Sequence, residues 1–150
     1  VLFTGKSGSG KSTLTQLLMA DRNVVGLSDD RIVVRKQADS WTLWGTPWLG
    51  TAGVGANRHA PARALVFLRK AETNSMTPLT PGEALDRFLP VVSIPWYDKE
   101  LVEPILAMCE DMMSCLPSYE LAFRNDSSIV PVVLRQIEAL GTGASARITG

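Results

Sequence analysis

A glycine-rich segment near the start of the chain constrains the fold more than any other feature. Residues 5–12 read Gly-Lys-Ser-Gly-Ser-Gly-Lys-Ser and follow a short apolar run that is typical of a buried strand. Leu14, Leu17 and Leu18 then recur at helical spacing, which predicts a helix from Gly10 to Ala20. A strand, a glycine-rich loop and a helix in this order predict a loop that binds phosphate groups.

The residues of this loop have separate expected roles toward a nucleoside triphosphate. Glycines let backbone N–H groups approach phosphate oxygens closely, and the N-terminus of the helix adds a favourable dipole. Lys11 is predicted to reach the β- and γ-phosphates, and Ser12 to complete the shell of a Mg²⁺ ion. Thr13 is expected near the α-phosphate, while Lys6 either contacts phosphate or faces solvent. The predicted nucleotide-binding residues are Gly5, Lys6, Ser7, Gly8, Ser9, Gly10, Lys11, Ser12 and Thr13.

Two adjacent carboxylates follow the apolar run Val24–Leu27, which we predict to be a second buried strand. One carboxylate at such a strand end can hold Mg²⁺, while the other accepts a proton from an attacking hydroxyl or water. We therefore predict Asp29 and Asp30 as metal ligands with Ser12, and as catalytic residues with Lys11. The alternative is that one aspartate caps a turn and only the other serves the nucleotide.

Composition restricts the class of protein. A chain of 150 residues with 45% hydrophobic residues indicates one domain with a single core. Fifteen basic and fifteen acidic residues cancel, and no basic stripe with interleaved aromatics is visible, so nucleic acid and membrane surfaces are disfavoured as partners. No apolar run suits a bilayer span or a signal segment, and we expect a cytoplasmic protein. Cys109 and Cys115 lack metal or redox spacing and are expected to be reduced packing residues.

The remaining pattern predicts an α/β domain with a mixed β-sheet and flanking helices. Short strands and turns are expected in 40–57, with Trp41, Trp44 and Trp48 in the core, and a polar turn in Arg69–Glu72. Further strands are predicted at Arg31–Lys36, Ala64–Leu68 and Tyr119–Phe123. Helices are predicted from a capping box at Thr80 to about Leu89, from Lys99 to Leu116, and from Ser128 to Leu140, closed by Gly141.

Two expectations concern the later part of the chain and its limits. The helix from Lys99 should bury an apolar face formed by Leu101, Ile105, Met108, Met112 and Leu116. Residues 1–140 are expected to form the nucleotide-binding domain and residues 141–150 a flexible tail. Because the chain begins with Val1 and the first strand starts at once, we expect a fragment of a longer chain that lacks its N-terminus.

The chain resembles the ATP-binding core of HPr serine kinase/phosphorylase and its phosphoenolpyruvate carboxykinase-like relatives. The specific part of the resemblance is the run Gly5–Leu14 followed by Leu27-Ser28-Asp29-Asp30-Arg31. It continues more loosely through residues 45–51, 64–68 and 78–84, and covers roughly residues 1–125. HPr kinases also have a histidine before the loop and a signature segment near the C-terminus that contacts their substrate, and neither is identified in this chain.

The resemblance implies a fold, a reaction and partners. It implies an ATP- and Mg²⁺-dependent kinase in which Asp29 is the base toward a phosphate acceptor. The acceptor would be a hydroxyl, either a serine of a protein or peptide or a small molecule, and the chain would self-associate as HPr kinases do. It does not imply HPr itself as the acceptor.

Other residues and functions stay open. Basic groups that neutralise the transferring charge are either Arg58 and His59 or Arg69 and Lys70, although His59 also suits an ordinary surface position. A second function class is a nucleotide-dependent binding module with little turnover. A third is a simple ATPase or GTPase, for which no polarising residue and no guanine-selecting segment are identified.

Overall fold

The structure, a computed structural model, describes residues 1–143, and of residues 141–143 it describes the backbone only. In chain order the strands are β1 (Leu2–Thr4), β2 (Ile32–Gln37), β3 (Ser40–Gly45), β4 (His59–Pro61), β5 (Leu65–Lys70), β6 (Ser75–Leu79) and β7 (Ser118–Phe123). The helices are α1 (Lys11–Met19), α2 (Pro81–Phe88), α3 (Lys99–Cys115) and α4 (Ile129–Gly143), and a short 3-10 turn covers Leu89–Val91. Among the helices within residues 1–143, none combines the length and apolar character that a membrane span requires.

Two separate sheets organise these elements. The central sheet is mixed and has the order β1-β5-β7-β6, with β5 parallel to β1 and β7 and with β6 antiparallel to β7. The second sheet is antiparallel and has the order β2-β3-β4. The predicted α/β fold with a mixed sheet and flanking helices is confirmed, whereas the division into two sheets goes beyond the sequence pattern.

The central sheet carries an apolar layer on each face, because successive side chains of a strand point to opposite faces. From β5, Val66 and Leu68 pack with α1 and α4 in a cluster that includes Leu14, Leu18, Leu121, Ile129 and Val133. Leu65 and Phe67 pack toward α2, α3 and the second sheet, in a cluster that includes Trp41, Leu43, Phe88 and Met112. The four consecutive buried residues of β5 therefore join both halves of the core.

The predicted strand Val24–Leu27 is wrong. These residues form no strand, Val25 is 61% exposed, and β1 pairs with β5 alone. Residues 27–29 are instead held by the segment that follows β3: Leu27 accepts the N–H of Ala56 at 2.9 Å, and Ser28 forms a bridge with Gly55. The apolar run is thus drawn away from the central sheet toward the second one.

The two strands missing from the prediction each contain a proline. Pro61 lies in β4 and Pro78 lies in β6, and both strands are at the edge of their sheets. An edge strand tolerates proline because one side of its backbone makes no sheet hydrogen bonds. The prolines therefore explain why the sequence pattern did not predict β4 and β6. A separate correction concerns β5, which continues through Arg69 and Lys70, where a turn was predicted.

Several other expectations need correction. Trp41 is buried, but Trp44 is half-buried and Trp48 is 58% exposed, because Trp48 lies on a loop outside both sheets. Leu101 and Met108 are exposed, since α3 packs through a side rotated toward Cys109, Met112 and Met113. Helix α4 runs to Gly143 instead of ending at Leu140, and residues 144–150 of the predicted tail lie outside the described residues.

The cysteines are both free. Cys109 is a core residue as predicted, and burial raises the pKa of its thiol. Cys115 is exposed at the end of α3, so the expectation that it packs in the core is wrong.

The capping box of α2 forms as predicted. The Thr80 hydroxyl accepts the N–H of Glu83, and the Glu83 carboxylate accepts the N–H of Thr80 at 2.9 Å. The Thr80 N–H, together with the Thr80 hydroxyl, which donates to the same carboxylate at 2.8 Å, holds the pKa of Glu83 below its usual range. They fix the start of a helix that buries Ala84 and Phe88 against α3.

We expect Thr80→Ala to lower the free energy of unfolding by about 1 kcal/mol, because the side chain that satisfies the first turn of α2 is removed. Urea denaturation followed by circular dichroism measures this change. Thr80→Ser is the matched control and should unfold at nearly the wild-type midpoint. Equal midpoints for the Ala and Ser variants would show that the cap contributes no stability.

Candidate functional site

The glycine-rich loop, residues 5–12, connects β1 to α1 as predicted. Gly8 and Gly10 have φ angles of 79° and 101°, in the left-handed region that favours glycine. Gly10 also lies close to the end of β7, where a Cβ atom would come within 2.6 Å of Cζ of Phe123. The start of α1 is therefore seated on the core at a point where only glycine fits.

Lys11 folds back over this loop. Its ammonium group donates to the carbonyl oxygens of Gly5 at 2.8 Å and Lys6 at 3.1 Å. The Ser9 hydroxyl lies inside the loop, buried and without a hydrogen-bond partner. The loop thus holds a cation and an unpaired hydroxyl at its centre, and both groups are suited to phosphate oxygens.

The Asp29 carboxylate accepts hydrogen bonds from the loop formed by residues 50–54. The donors are the backbone N–H groups of Gly50 at 2.8 Å, Ala52 at 2.6 Å and Val54 at 3.3 Å. The N–H of Asp29 itself donates to the carbonyl of Val54 at 3.2 Å. The side chain is 8% exposed, so it acts as the buried anchor of this loop.

Two opposing effects set the pKa of Asp29. Burial raises the pKa, but the N–H groups of Gly50, Ala52, Asp29 itself and Val54 stabilise the carboxylate and together outweigh burial. The pKa therefore lies below its usual value. A carboxylate held in this way is a weak proton acceptor, and its accepting oxygens already serve the protein.

Asp30 differs from Asp29 in its exposure to solvent and in its hydrogen bonds. Its side chain is exposed, while its backbone N–H donates to the Ser28 hydroxyl at 3.3 Å. Asp30 lines a cleft with a volume of about 1170 Å³ that also contains Lys6, Ser7 and Lys11 of the glycine-rich loop. Both aspartates line this cleft, and Asp30 is the one whose carboxylate makes no hydrogen bond with the described residues.

Of the two predicted pairs of basic residues, one lines the cleft and the other does not. Arg58 and His59 line the cleft, as do Arg31 and Trp48. Arg69 lies elsewhere and pairs with Glu120 at 2.9 Å, and Lys70 ends β5 outside the cleft lining. The structure therefore places Arg58 and His59 in the lining of the cleft, and Arg69 and Lys70 outside that lining.

Within residues 1–143, no group of three or more His, Cys, Asp or Glu side chains could hold a metal ion by itself. A Mg²⁺ ion bound with a triphosphate does not need such a group, because phosphate oxygens and water fill most of its shell. Of the predicted metal ligands, Asp29 and Asp30 line the cleft, while Ser12 lies in the first turn of α1 outside the cleft lining.

Sequence reasoning missed the loop that carries Trp48. The Thr46 hydroxyl donates to the carbonyl of Arg31 at 2.8 Å and accepts the N–H of Trp48 at 3.3 Å. The guanidinium of Arg31 then lies 4.9 Å from the centre of the Trp48 ring. The glycines and Pro47 in this stretch predict a turn, but they do not predict that the backbone after the turn donates hydrogen bonds to Asp29.

Comparison of the chain with protein-family models, curated proteins and solved structures found no match.

We expect Gly10→Ala to lower the free energy of unfolding by about 1–3 kcal/mol, because alanine is strained at this φ angle and its methyl group would displace Phe123. Thermal or urea unfolding measures the loss. Gly82→Ala is the control, since a Cβ atom there meets nothing within 4 Å. The control should be as stable as the wild type or slightly more stable. An unchanged midpoint for Gly10→Ala would contradict this account of the loop.

The Asp29 anchor should make part of the stability depend on pH. A folded-state pKa below the unfolded value gives stability that is present above the unfolded pKa and is lost as pH falls through the folded pKa. At pH 7 we expect Asp29→Asn to cost about 2 kcal/mol, because the amide lacks the charge and one accepting oxygen. The difference from the wild type should shrink as pH falls below about 4.

Urea unfolding at a series of pH values checks this dependence. Asp86→Asn, at an exposed position of α2, is the matched control and should follow the wild type. A variant at position 29 with wild-type stability at pH 7, or with a deficit that does not depend on pH, would contradict the anchor role.

Proposed function

We propose that this chain is an ATP- and Mg²⁺-dependent phosphotransferase of the HPr serine kinase-like type, which moves the γ-phosphoryl group of ATP to a hydroxyl. One observation carries the proposal: the glycine-rich loop with Lys11 and the free carboxylate of Asp30 line the same cleft. The sequence resemblance supports it, and a cleft of about 1170 Å³ has room for a nucleotide together with part of an acceptor.

The loop residues bind and orient the triphosphate. Gly8 and Gly10, with their left-handed φ angles, let the loop turn tightly into α1, and the N-terminus of that helix favours negative charge. On binding, the Lys11 ammonium exchanges the carbonyl oxygens of Gly5 and Lys6 for phosphate oxygens. When bound, Mg²⁺ would neutralise phosphate charge, and Ser12 and one carboxylate oxygen of Asp30 would be its protein ligands.

The transfer step is an in-line displacement at the γ-phosphorus. The acceptor oxygen forms a bond to the γ-phosphorus, and the bond from the γ-phosphorus to the β,γ-bridging oxygen breaks, so ADP leaves with the electron pair. The hydroxyl proton goes to the second oxygen of the Asp30 carboxylate, which accepts no hydrogen bond from the described residues. Arg58, on the cleft wall, is placed to offset negative charge on the transferring group.

Asp29 has a positioning role in this proposal. It holds the loop 50–54, and that loop continues from Trp48 on the cleft wall. The pair of aspartates therefore divides its work between one residue that fixes the wall and one residue that faces the substrate.

A nucleotide-dependent binding module is the second candidate, and a specific observation favours it. Asp29, the base that the family resemblance implies, is occupied by three backbone N–H groups and has a lowered pKa. If Asp30 does not take over as base, the cleft binds ATP and transfers its phosphoryl group slowly. Ordering of the cleft by nucleotide would then be the function.

The test is phosphate release and transfer from γ-labelled ATP with Mg²⁺, measured together with ATP binding by calorimetry. We expect Lys11→Ala to lose ATP binding, and Asp30→Asn to bind ATP but turn over at least about 100-fold more slowly. Asp29→Asn should mainly raise KM for the acceptor, because it loosens the wall and not the reacting groups. Asp86→Asn is the control and should behave as the wild type.

Each outcome decides between the candidates. Wild-type turnover by Asp30→Asn would remove that residue from the mechanism. Tight ATP binding by the wild type without any phosphate release or transfer would exclude the kinase and leave the binding module. Absence of ATP binding would contradict both.

A further inference from the structure

One face of the three-stranded sheet is cationic and aromatic. The register pairs Val33 with Trp44 and Trp44 with His59, so these side chains form a row across the three strands on the same face. Arg35 lies in the next row, and Arg31 precedes β2 at the end nearest the cleft. We call this surface, formed by Arg31, Val33, Arg35, Trp44, Trp48 and His59, the cationic face.

The aromatic rings of this face hold its cations in place. Trp44 stacks on His59 with ring centres 4.3 Å apart, and the guanidinium of Arg35 lies 5.3 Å from the centre of the Trp44 ring. Arg31 lies over Trp48 in the same manner. Cation–π contacts of this kind orient a guanidinium without neutralising it.

The cations of this face have no acidic partners among the described residues. The ion pairs within residues 1–143 join Lys36 to Asp111, Arg69 and Arg87 to Glu120, and Arg124 to Asp126. Arg31 and Arg35 take part in none of them and are exposed. In a chain with zero net charge, this leaves a local excess of positive charge on one exposed surface.

The face is continuous with the candidate site. Arg31, Trp48 and His59 belong both to the cationic face and to the lining of the cleft that contains Lys11 and Asp30. The Asp29 anchor fixes the loop that carries Trp48. A ligand that lies on the face therefore reaches the cleft without crossing another element.

We propose that the cationic face docks an acidic polypeptide segment and, resting on the function proposed above, that this segment carries the hydroxyl that receives the γ-phosphoryl group. Charge complementarity selects the acidic character, and a row across three strands is about 10 Å wide, which suits one extended segment. The acceptor is then a serine or threonine with Asp or Glu beside it, and its proton goes to Asp30.

A single-stranded nucleic acid would also bring negative charge, but the face suits it less. Bases bind such surfaces by stacking on free aromatic rings. Trp44 is already engaged by His59 and Arg35, and the neutral chain lacks the broad positive field that attracts nucleic acid. The experiment therefore includes a single-stranded nucleic acid as the competing ligand.

The experiment measures fluorescence anisotropy of a labelled peptide that has one serine flanked by glutamates, with the nucleotide site saturated by a non-hydrolysable ATP analogue and Mg²⁺. The matched peptide has glutamine in place of each glutamate. We expect the acidic peptide to bind, the glutamine peptide to bind at least about tenfold more weakly, and salt to weaken the acidic complex.

Variants locate the binding surface. Arg31→Glu with Arg35→Glu should weaken the acidic peptide by at least about tenfold, and the milder Arg31→Gln with Arg35→Gln should have an intermediate effect. Arg22→Glu makes the same charge change at an exposed position outside the cleft lining and should leave binding unchanged. Circular dichroism confirms that each variant is folded.

The results separate this inference from the proposed function. Equal binding of both peptides, no binding of either, or an equal loss in Arg22→Glu would overturn the docking surface, as would tighter binding of a labelled oligouridylate. Lys11→Ala abolishes transfer in the proposed mechanism but, when both proteins are measured without nucleotide, should bind the acidic peptide as the wild type does. Docking without phosphate on the peptide serine in the presence of ATP would overturn the acceptor role and leave the docking surface standing.

Discussion

The arrangement of the cleft depends on the Asp29 carboxylate and the three backbone N–H groups that it accepts. A buried carboxylate must be satisfied by hydrogen bonds, and Asp29 obtains them from the backbone of the loop 50–54. The same contact draws residues 27–31 toward the second sheet. Asp30 follows directly after this contact and lines the cleft, and Trp48 lines the same cleft and contacts Ser28 and Arg31 on either side of the aspartate pair.

This interaction also explains why β1 remains at the edge of the central sheet. The chain that leaves α1 does not return to pair with β1, because residues 27–29 are bonded to residues 54–56. The cleft occupies the space beside β1, between the glycine-rich loop and the second sheet. The cleft therefore takes Lys11 and the glycine-rich loop from one layer, and Asp30, Arg31 and Arg58 from another. Movement between the two layers is therefore the motion that would most alter its geometry.

Local patterns in the sequence were sufficient for the elements whose signals lie within a few residues. The strand, loop and helix around Gly5–Ser12, the capping box at Thr80 and the buried strand β5 all follow from nearby residues, and the structure has each of them. The α/β class follows from their alternation. The failures have long-range causes: Val24–Leu27 has the composition of a strand, but contacts some 30 residues away in sequence decide its path. Pro61 and Pro78 discourage a strand locally, and only their edge positions make β4 and β6 permissible.

The candidate site shows the same division. Residue type and spacing identified the glycine-rich loop and the aspartate pair, but two adjacent carboxylates look alike in a sequence. Their difference arises from burial and from three N–H groups supplied by residues 50, 52 and 54, which no local pattern around Asp29 reveals. The cationic face was missed for a related reason. Arg31, Arg35, Trp44 and His59 are scattered over 29 sequence positions that follow no single period, and the strand register alone places them on one surface. A neutral total charge therefore says little about a chain whose sheet gathers its unpaired cations beside its candidate site.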